Sequence, residues 1–207
     1  IELKKEDPRI RSERVRMLSL TDDAVSFYES VLFKRKDVGA YLKDRGLEGE
    51  TAKRFRLGYA AHGWDNLLNH LKSKGYSESE MEKTGLVIKS DRNLQSTSYN
   101  LQANYYDRFR SRIMFPLFDG SGRIVGFTGR IFEKDAEGQK DADAKYINSP
   151  QTELYDKSKI LYGMHIAKDE IRKQGKAVIV EGQMDLLMSL QAGIQHAVAV
   201  SVTALTP

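Results

Sequence analysis

Apolar positions recur at two spacings along this chain. Up to residue 85 they follow the 3.6-residue period of amphipathic helices; beyond residue 105 they gather into short, strand-like runs. Ala24, Phe27, Tyr28, Val31 and Leu32 share one helical face, with Thr21 as the expected N-cap. Residues 1–20 read as a charged tether with at most a short helix, and Pro8 disfavours helix before it. A second helix is predicted over Lys36–Asp44, ending near Gly46, and a third over Glu50–Arg56. Phe55 to Ala60 turns into a short strand. Helices follow at about Asp65–Lys74 and Ser77–Thr84, closed by Gly75 and Gly85.

Leu86–Lys89 reads as a strand, and the polar stretch 90–104 as a loop or irregular hairpin. The apolar runs ending at Leu117 and beginning at Gly122 flank Asp119-Gly120, a turn signal, so they predict an antiparallel hairpin. Gly126 and Gly129 leave the backbone bare there, which suits close approach of another backbone or a ligand. Residues 133–144 form a charged, turn-rich surface loop. A helix over Met164–Lys173 is closed by Gly175. Lys176–Val180 then reads as a buried strand, Met184–Ala192 as a helix ending at Gly193, and Ala197–Val200 as a second buried strand. That order predicts a right-handed βαβ unit.

Composition narrows the classes. The chain has 207 residues, 40% hydrophobic, enough for one large domain or two small ones. It has no cysteine, so disulfides and cysteine-ligated zinc are excluded within it. His62, His70, His165 and His196 show no metal-ligand spacing, and no apolar run approaches the roughly 20 residues of a membrane span. The net charge is +4, from 33 basic and 29 acidic side chains. Residues 1–60 hold 14 basic against 11 acidic residues, and the remainder is nearly balanced. A polyanion-binding surface must therefore be assembled by folding from arginines distant in sequence.

Two places carry candidate chemistry. Glu181 sits on the C-terminal lip of a predicted strand, followed by Gly182, and Asp185 lies on the first turn of the next helix. That lip is where open α/β sheets bind ligands, and two carboxylates there suit a hard cation such as Mg²⁺. The plainer alternative is an Asp favoured by the helix dipole beside a solvated Glu. Arginines at both ends of the hairpin can fork onto phosphates; the alternative is solvated surface charge.

The block Val180-Glu-Gly-Gln-Met-Asp185 resembles the first acidic motif of a Toprim domain. Tyr41 to Leu47, Lys53 to Ala60, Trp64-Asp65, Tyr106 to Leu117, Gly122 to Ile131, Lys145 to Thr152 and Leu161-Tyr-Gly163 resemble something narrower: the RNA polymerase core of a bacterial replicative primase of the DnaG type. The resemblance covers essentially residues 20–207. It implies an α+β fold: a mixed helical and antiparallel-sheet N-terminal subdomain at 21–160, then a truncated α/β Toprim domain at 161–207. It implies DNA-templated synthesis of short RNA primers. Glu181 and Asp185 would be catalytic and metal-binding, holding Mg²⁺ or Mn²⁺. Arg112, Arg130, Lys145, Asn148 and Lys157 would bind the nucleoside triphosphate. Lys53, Arg54, Arg56, Arg108, Arg110 and Arg123 would steer single-stranded DNA.

The resemblance also implies a zinc module upstream, a replicative-helicase-binding module downstream, a cytoplasmic location and no membrane partner. The family's later Asp-x-Asp pair lies beyond this chain, so the segment alone is expected to lack full polymerase activity. Thr128 stands where the family has glycine, Gln183 where it has tyrosine, and Ser201-Val202 where it has Leu-Gly. Those departures favour the alternative of a non-catalytic single-stranded DNA-binding module. Another Toprim enzyme, a nuclease or topoisomerase, is disfavoured by the Arg-Ile-Met-Phe-Pro block.

Overall fold

The computed structural model describes residues 8–90, 105–132 and 144–200. The expected tether at 1–7, most of the two loops at 90–104 and 133–144, and the turn containing Val202 lie outside the described residues.

The described residues begin with one continuous helix, α1 (Pro8–Lys34), of 27 residues. Pro8 occupies its first position, where a missing N–H costs nothing. Thr21 is therefore not an N-cap, and the boundary expected near residue 20 falls inside a helix. The Thr21 hydroxyl is buried, with its one proton within reach of the carbonyls of Leu18 (2.9 Å) and Ile124 (2.8 Å). A partner 103 residues away explains what local pattern could not. Helices α2 (Lys36–Asp44) and α3 (Gly49–Arg54) follow as expected. Arg56 falls just past α3 at φ +53, left-handed backbone that is uncommon for a side-chain-bearing residue.

Strand β1 (Gly58–Ala60) leads to α4 (Asn66–Ser73) and α5 (Glu78–Lys83). At Gly58 a Cβ would lie 2.4 Å from Tyr28 Cβ, so glycine is what lets α1 lie against β1. A capping box from Ser77 and Glu80 starts α5. Strands β2 (Val87–Lys89) and β3 (Tyr105–Asp107) form a separate antiparallel pair.

The hairpin is realised as β4 (Arg112–Phe118) and β5 (Ile124–Ile131), with a register shift at Leu117/Phe118. With β6 (Tyr146–Asn148) they make a four-stranded antiparallel sheet in the order β1-β4-β5-β6. Then come α6 (Met164–Gln174), β7 (Val178–Val180), α7 (Gln183–Gln191) and β8 (Ala197–Ala199). Strands β7 and β8 pair in parallel, as the βαβ reading requires. β7 is not buried as expected: Val178 and Val180 are half-buried and Ile179 is 54% exposed. Its sheet has two strands among the described residues, so nothing there covers its outer face.

Alternation along the central strands splits the core into two layers. One layer packs Leu20, Ala24 and Tyr28 of α1 and Leu67, Leu68 and Leu71 of α4 against Met114 and Phe127. The other packs Val38 and Leu42 of α2 and Leu186, Leu187 and Leu190 of α7 against Ile113 and Phe115. The fold is thus α+β, and the βαβ segment shares a continuous core with the sheet before it.

Candidate functional site

The side chains of interest gather at the end of the sheet where β4 begins, β5 ends and β6 begins. Register places Arg130 beside Ile113 and Tyr146, and Thr128 beside Phe115 and Asn148. Since strand side chains alternate, Thr128, Arg130, Tyr146 and Asn148 share the face turned toward α2 and α7. Arg112 pairs with Ile131 and lies on the opposite face, with Met114 and Phe127. The two arginines flank the same sheet end from opposite sides.

Arg112 is 1% exposed. Its Nη1 donates to the carbonyls of Gly129 (3.2 Å) and Ala144 (2.9 Å). A Cβ at Gly129 would stand 2.9 Å from Phe109 and 3.0 Å from Arg112 Cδ. At Gly126 it would meet Tyr155 at 3.2 Å and Ser149 at 3.3 Å. Both glycines therefore admit protein side chains, not the backbone or ligand expected. Ser111, just before Arg112, is buried at φ +53; its carbonyl accepts from Phe132 N and its hydroxyl meets His62 Nδ1 at 3.3 Å. Left-handed backbone is uncommon for a residue with a side chain, and both ends of Ser111 are held by these partners.

Arg130 is half-buried, with its guanidinium 5.2 Å from the Tyr41 ring centroid. Its charge also acts on the Tyr146 hydroxyl across the strand pair. Burial pushes the Tyr146 pKa up; Arg130 opposes the shift, while the charge of Asp185 and the nearby Tyr41 add to it. The first turn of α7 is therefore close enough to this row to act on it electrostatically. Gln183 is buried and its Nε2 donates to Thr128 Oγ1 at 3.4 Å. Thr128 Oγ1 in turn donates to Asn148 Oδ1 at 2.7 Å. Arg108 Nε donates to the Asn148 carbonyl at 3.2 Å.

Arg112, Arg130, Asn148 and Asp185 are thus brought to one sheet end. Lys145 joins them: it is exposed at the start of β6, and its carbonyl accepts from Ile131 N at 2.9 Å. Glu181 is exposed at the end of β7, two residues before Gln183. Asp185 Oδ2 accepts from Gly182 N at 3.1 Å, so one carboxylate oxygen closes the first turn of α7. Among the described residues there is no group of three or more His, Cys, Asp or Glu side chains able to hold a metal ion.

Other candidates sit elsewhere. Lys157 is exposed in the turn before α6, its N–H donating to Gln151 Oε1 at 3.3 Å. Lys53 and Arg54 line an open depression on α3 with Glu50 and Thr51. Arg56 is held against α1 by Asp22, Ser26 and Glu29. Arg123 is paired with Asp119 across the hairpin turn, at 2.7 Å. Arg110 is 5% exposed; it stacks 4.3 Å from the Trp64 centroid and bonds the Asp107 carbonyl. Tyr41 and Tyr146 were missed by sequence reasoning. Tyr146 had a signal: alternation from Asn148 back across a strand puts it beside Arg130.

The family model for the DNA primase catalytic core, N-terminal domain, matches residues 27–168. A DNA primase of Legionella pneumophila is 39% identical over 189 residues, covering 91% of this chain and 30% of that protein. The chain thus spans under a third of that relative's length. The RNA polymerase domain of Mycobacterium tuberculosis primase DnaG, in complex with a double-stranded DNA oligomer with a 6-nucleotide overhang, superposes with a TM-score of 0.80 at 33% identity. That match covers 93% of this chain and 56% of the other. A DnaG primase catalytic domain bound to ssDNA matches with a TM-score of 0.76 at 33% identity, over 95% of this chain and 56% of that one. No helix among the described residues is long and apolar enough to cross a membrane.

Proposed function

Because this chain belongs to the DNA primase catalytic core family, we propose that it forms the nucleotide- and template-binding part of a DNA-templated RNA polymerase making short RNA primers. One observation carries the assignment of the site: Arg130, Tyr146, Asn148 and the charge of Asp185 share one face of one sheet end, though drawn from three elements. Arg130 offers a forked donor and Lys145 a mobile point charge, which together suit the oxygens of a triphosphate. Asn148 supplies a directional hydrogen bond to ribose or phosphate. Arg112 works from behind, fixing the backbone at Gly129 and Ala144 so that β5 and Lys145 keep their spacing. Lys157 would meet the phosphate tail from the loop before α6.

Glu181 and the outer oxygen of Asp185 match the chemistry of a hard cation that keeps water and phosphate oxygens as its other ligands. They supply part of a site and need those further oxygens. Mg²⁺ or Mn²⁺, when bound, would bring the growing chain's 3′ hydroxyl and the incoming α-phosphate into line. The chain's own groups neutralise the triphosphate and orient it. Lys53, Arg54, Arg108 and Arg123 would track the template backbone with salt-sensitive affinity. Arg56 and Arg110 would serve that surface by bracing α1 and Trp64. The domain limits we propose are 21–160 for the basic subdomain, with α1 reaching back to residue 8, and 161–207 for the Toprim part. The parent protein would act in the cytoplasm, with zinc in an upstream module and the replicative helicase bound downstream.

Binding of a ribonucleoside triphosphate to this chain, with and without Mn²⁺, tests the reading. Arg130→Ala and Lys145→Ala should each weaken it about tenfold, the loss of one charge-assisted contact. Parent-like binding by both variants would overturn the site, and binding of single-stranded DNA alone would favour the non-catalytic module.

A further inference from the structure

The polar chain between α7 and the sheet carries a consequence that the phosphate contacts do not. Thr128 is 1% exposed and Gln183 is 4% exposed, so their polar atoms are sheltered from bulk water. A threonine hydroxyl has one proton to give. Here it goes to Asn148 Oδ1 at 2.7 Å, while Gln183 Nε2 gives one to Thr128 Oγ1 at 3.4 Å. With Gln183 donating to the Thr128 oxygen, the hydroxyl proton is left for Asn148 Oδ1. The cross-strand pairing of Thr128 with Asn148 holds the two side chains at contact distance.

Resting on the nucleotide reading above, we propose that Thr128 is the positioning residue for Asn148, and that Gln183 ties this setting to the helix bearing Asp185. With Oδ1 accepting from Thr128, the groups that Asn148 has to donate are the two N–H of its –NH₂. A donor matches the ligand class already assigned, since ribose and triphosphate oxygens accept. The arrangement also gives a shared reason for two departures from the family pattern: Thr128 and Gln183, in place of glycine and tyrosine, touch each other. A glycine at 128 has no hydroxyl with which to orient Asn148.

Thr128→Val keeps the shape and removes the hydroxyl; Thr128→Ser restores it. The Val variant should weaken ribonucleoside triphosphate binding about tenfold, and the Ser variant should return it to within about threefold of the parent, the range of one hydrogen bond in a sheltered site. In an Asn148→Ala background, Thr128→Val should change the affinity no further. Equal losses in both backgrounds would overturn the proposal, as would parent-like binding by Thr128→Val.

A second measurement does not depend on nucleotide. The side-chain amide resonances of Asn148 in a ¹⁵N-labelled chain should move in Thr128→Val and stay in place in Thr128→Ser. Resonances that stay put in both overturn the positioning role. If the parent fails to bind triphosphate while those resonances respond as expected, the functional reading falls and the orienting contact stands.

Discussion

The two faces of the four-stranded sheet treat the same residue type in opposite ways. On the α1/α4 face, Arg112 is closed in and spends donors on backbone carbonyls. On the α2/α7 face, Arg130 lies half-exposed over Tyr41 and beside Tyr146. Both stood out in sequence for the same reason, a basic residue at a strand end in a matching block. The difference is one of parity: odd and even positions of β4 and β5 face different solvents, one apolar and one wet. A charged residue on the dry face becomes part of the frame, because an uncompensated buried charge is costly. One on the wet face stays available to a ligand.

The sharpest way to break this contrast is to remove each arginine in turn. Arg112→Met should cost about 3 kcal/mol, since it strips buried carbonyls of a charged donor. Arg130→Ala should cost under about 1 kcal/mol, since it loses a partly exposed cation–π contact. Urea midpoints at constant slope would measure both, and equal losses would dissolve the distinction between the faces.

Acid titration comes next, through two buried groups whose pKa values are displaced in opposite directions. Asp107 is buried behind α4, accepting from Leu67 N (2.8 Å) and Leu68 N (2.9 Å); burial pushes its pKa up to about 6 against those bonds. Its folded pKa exceeds the unfolded one, so the molecule gains stability as pH falls from 7 toward 4. His165 stacks on Phe118, 4.2 Å between centroids, and burial, helped by Arg54 and Lys168, lowers its pKa to about 4. Its folded pKa is below the unfolded value, so stability is lost as pH falls from about 6.5 toward 4. Between pH 7 and 5 the two effects oppose, each on the order of 1–2 kcal/mol. Asp107→Asn should therefore leave a chain that weakens in mild acid, and His165→Phe one that strengthens. Urea melts of the parent and both variants at pH 7 and pH 5 check this; parallel behaviour of the variants would contradict it.

Thr21→Val should cost about 1 kcal/mol by leaving the buried Ile124 carbonyl short of a donor, with little effect on nucleotide binding. The smallest change is expected at Arg56→Gly. Relief of the positive φ and loss of the Asp22 and Glu29 pairs oppose each other, within about 0.5 kcal/mol of zero. A thermal melt displaced by several degrees would show that one of them had been misjudged.

Much of the fold was legible because it rests on local punctuation. Gly46, Gly75, Gly85, Gly175 and Gly193 close helices at positive φ, and Asp119-Gly120 turns the hairpin. What stayed hidden depends on partners far along the chain. Thr21 reads as a cap until Ile124 comes to meet it. β6 is too short to announce itself, and only its ladder with β5 makes it a strand. Motif blocks name candidates for the site, but not where folding puts them. The face on which Arg112 falls depends on pairing register, and the link from Gln183 to Thr128 spans 55 residues.

Leu186, Leu187 and Leu190 of α7 sit in the same cluster as Val38 of α2 and Phe115 of β4. Segments that resemble separate subdomains therefore share one packed core among the described residues. The distance from Asp185 to Arg130 is settled when the chain folds. If the nucleotide site proposed above is right, association should show a single fast phase with no slow closing step, which stopped-flow mixing would check.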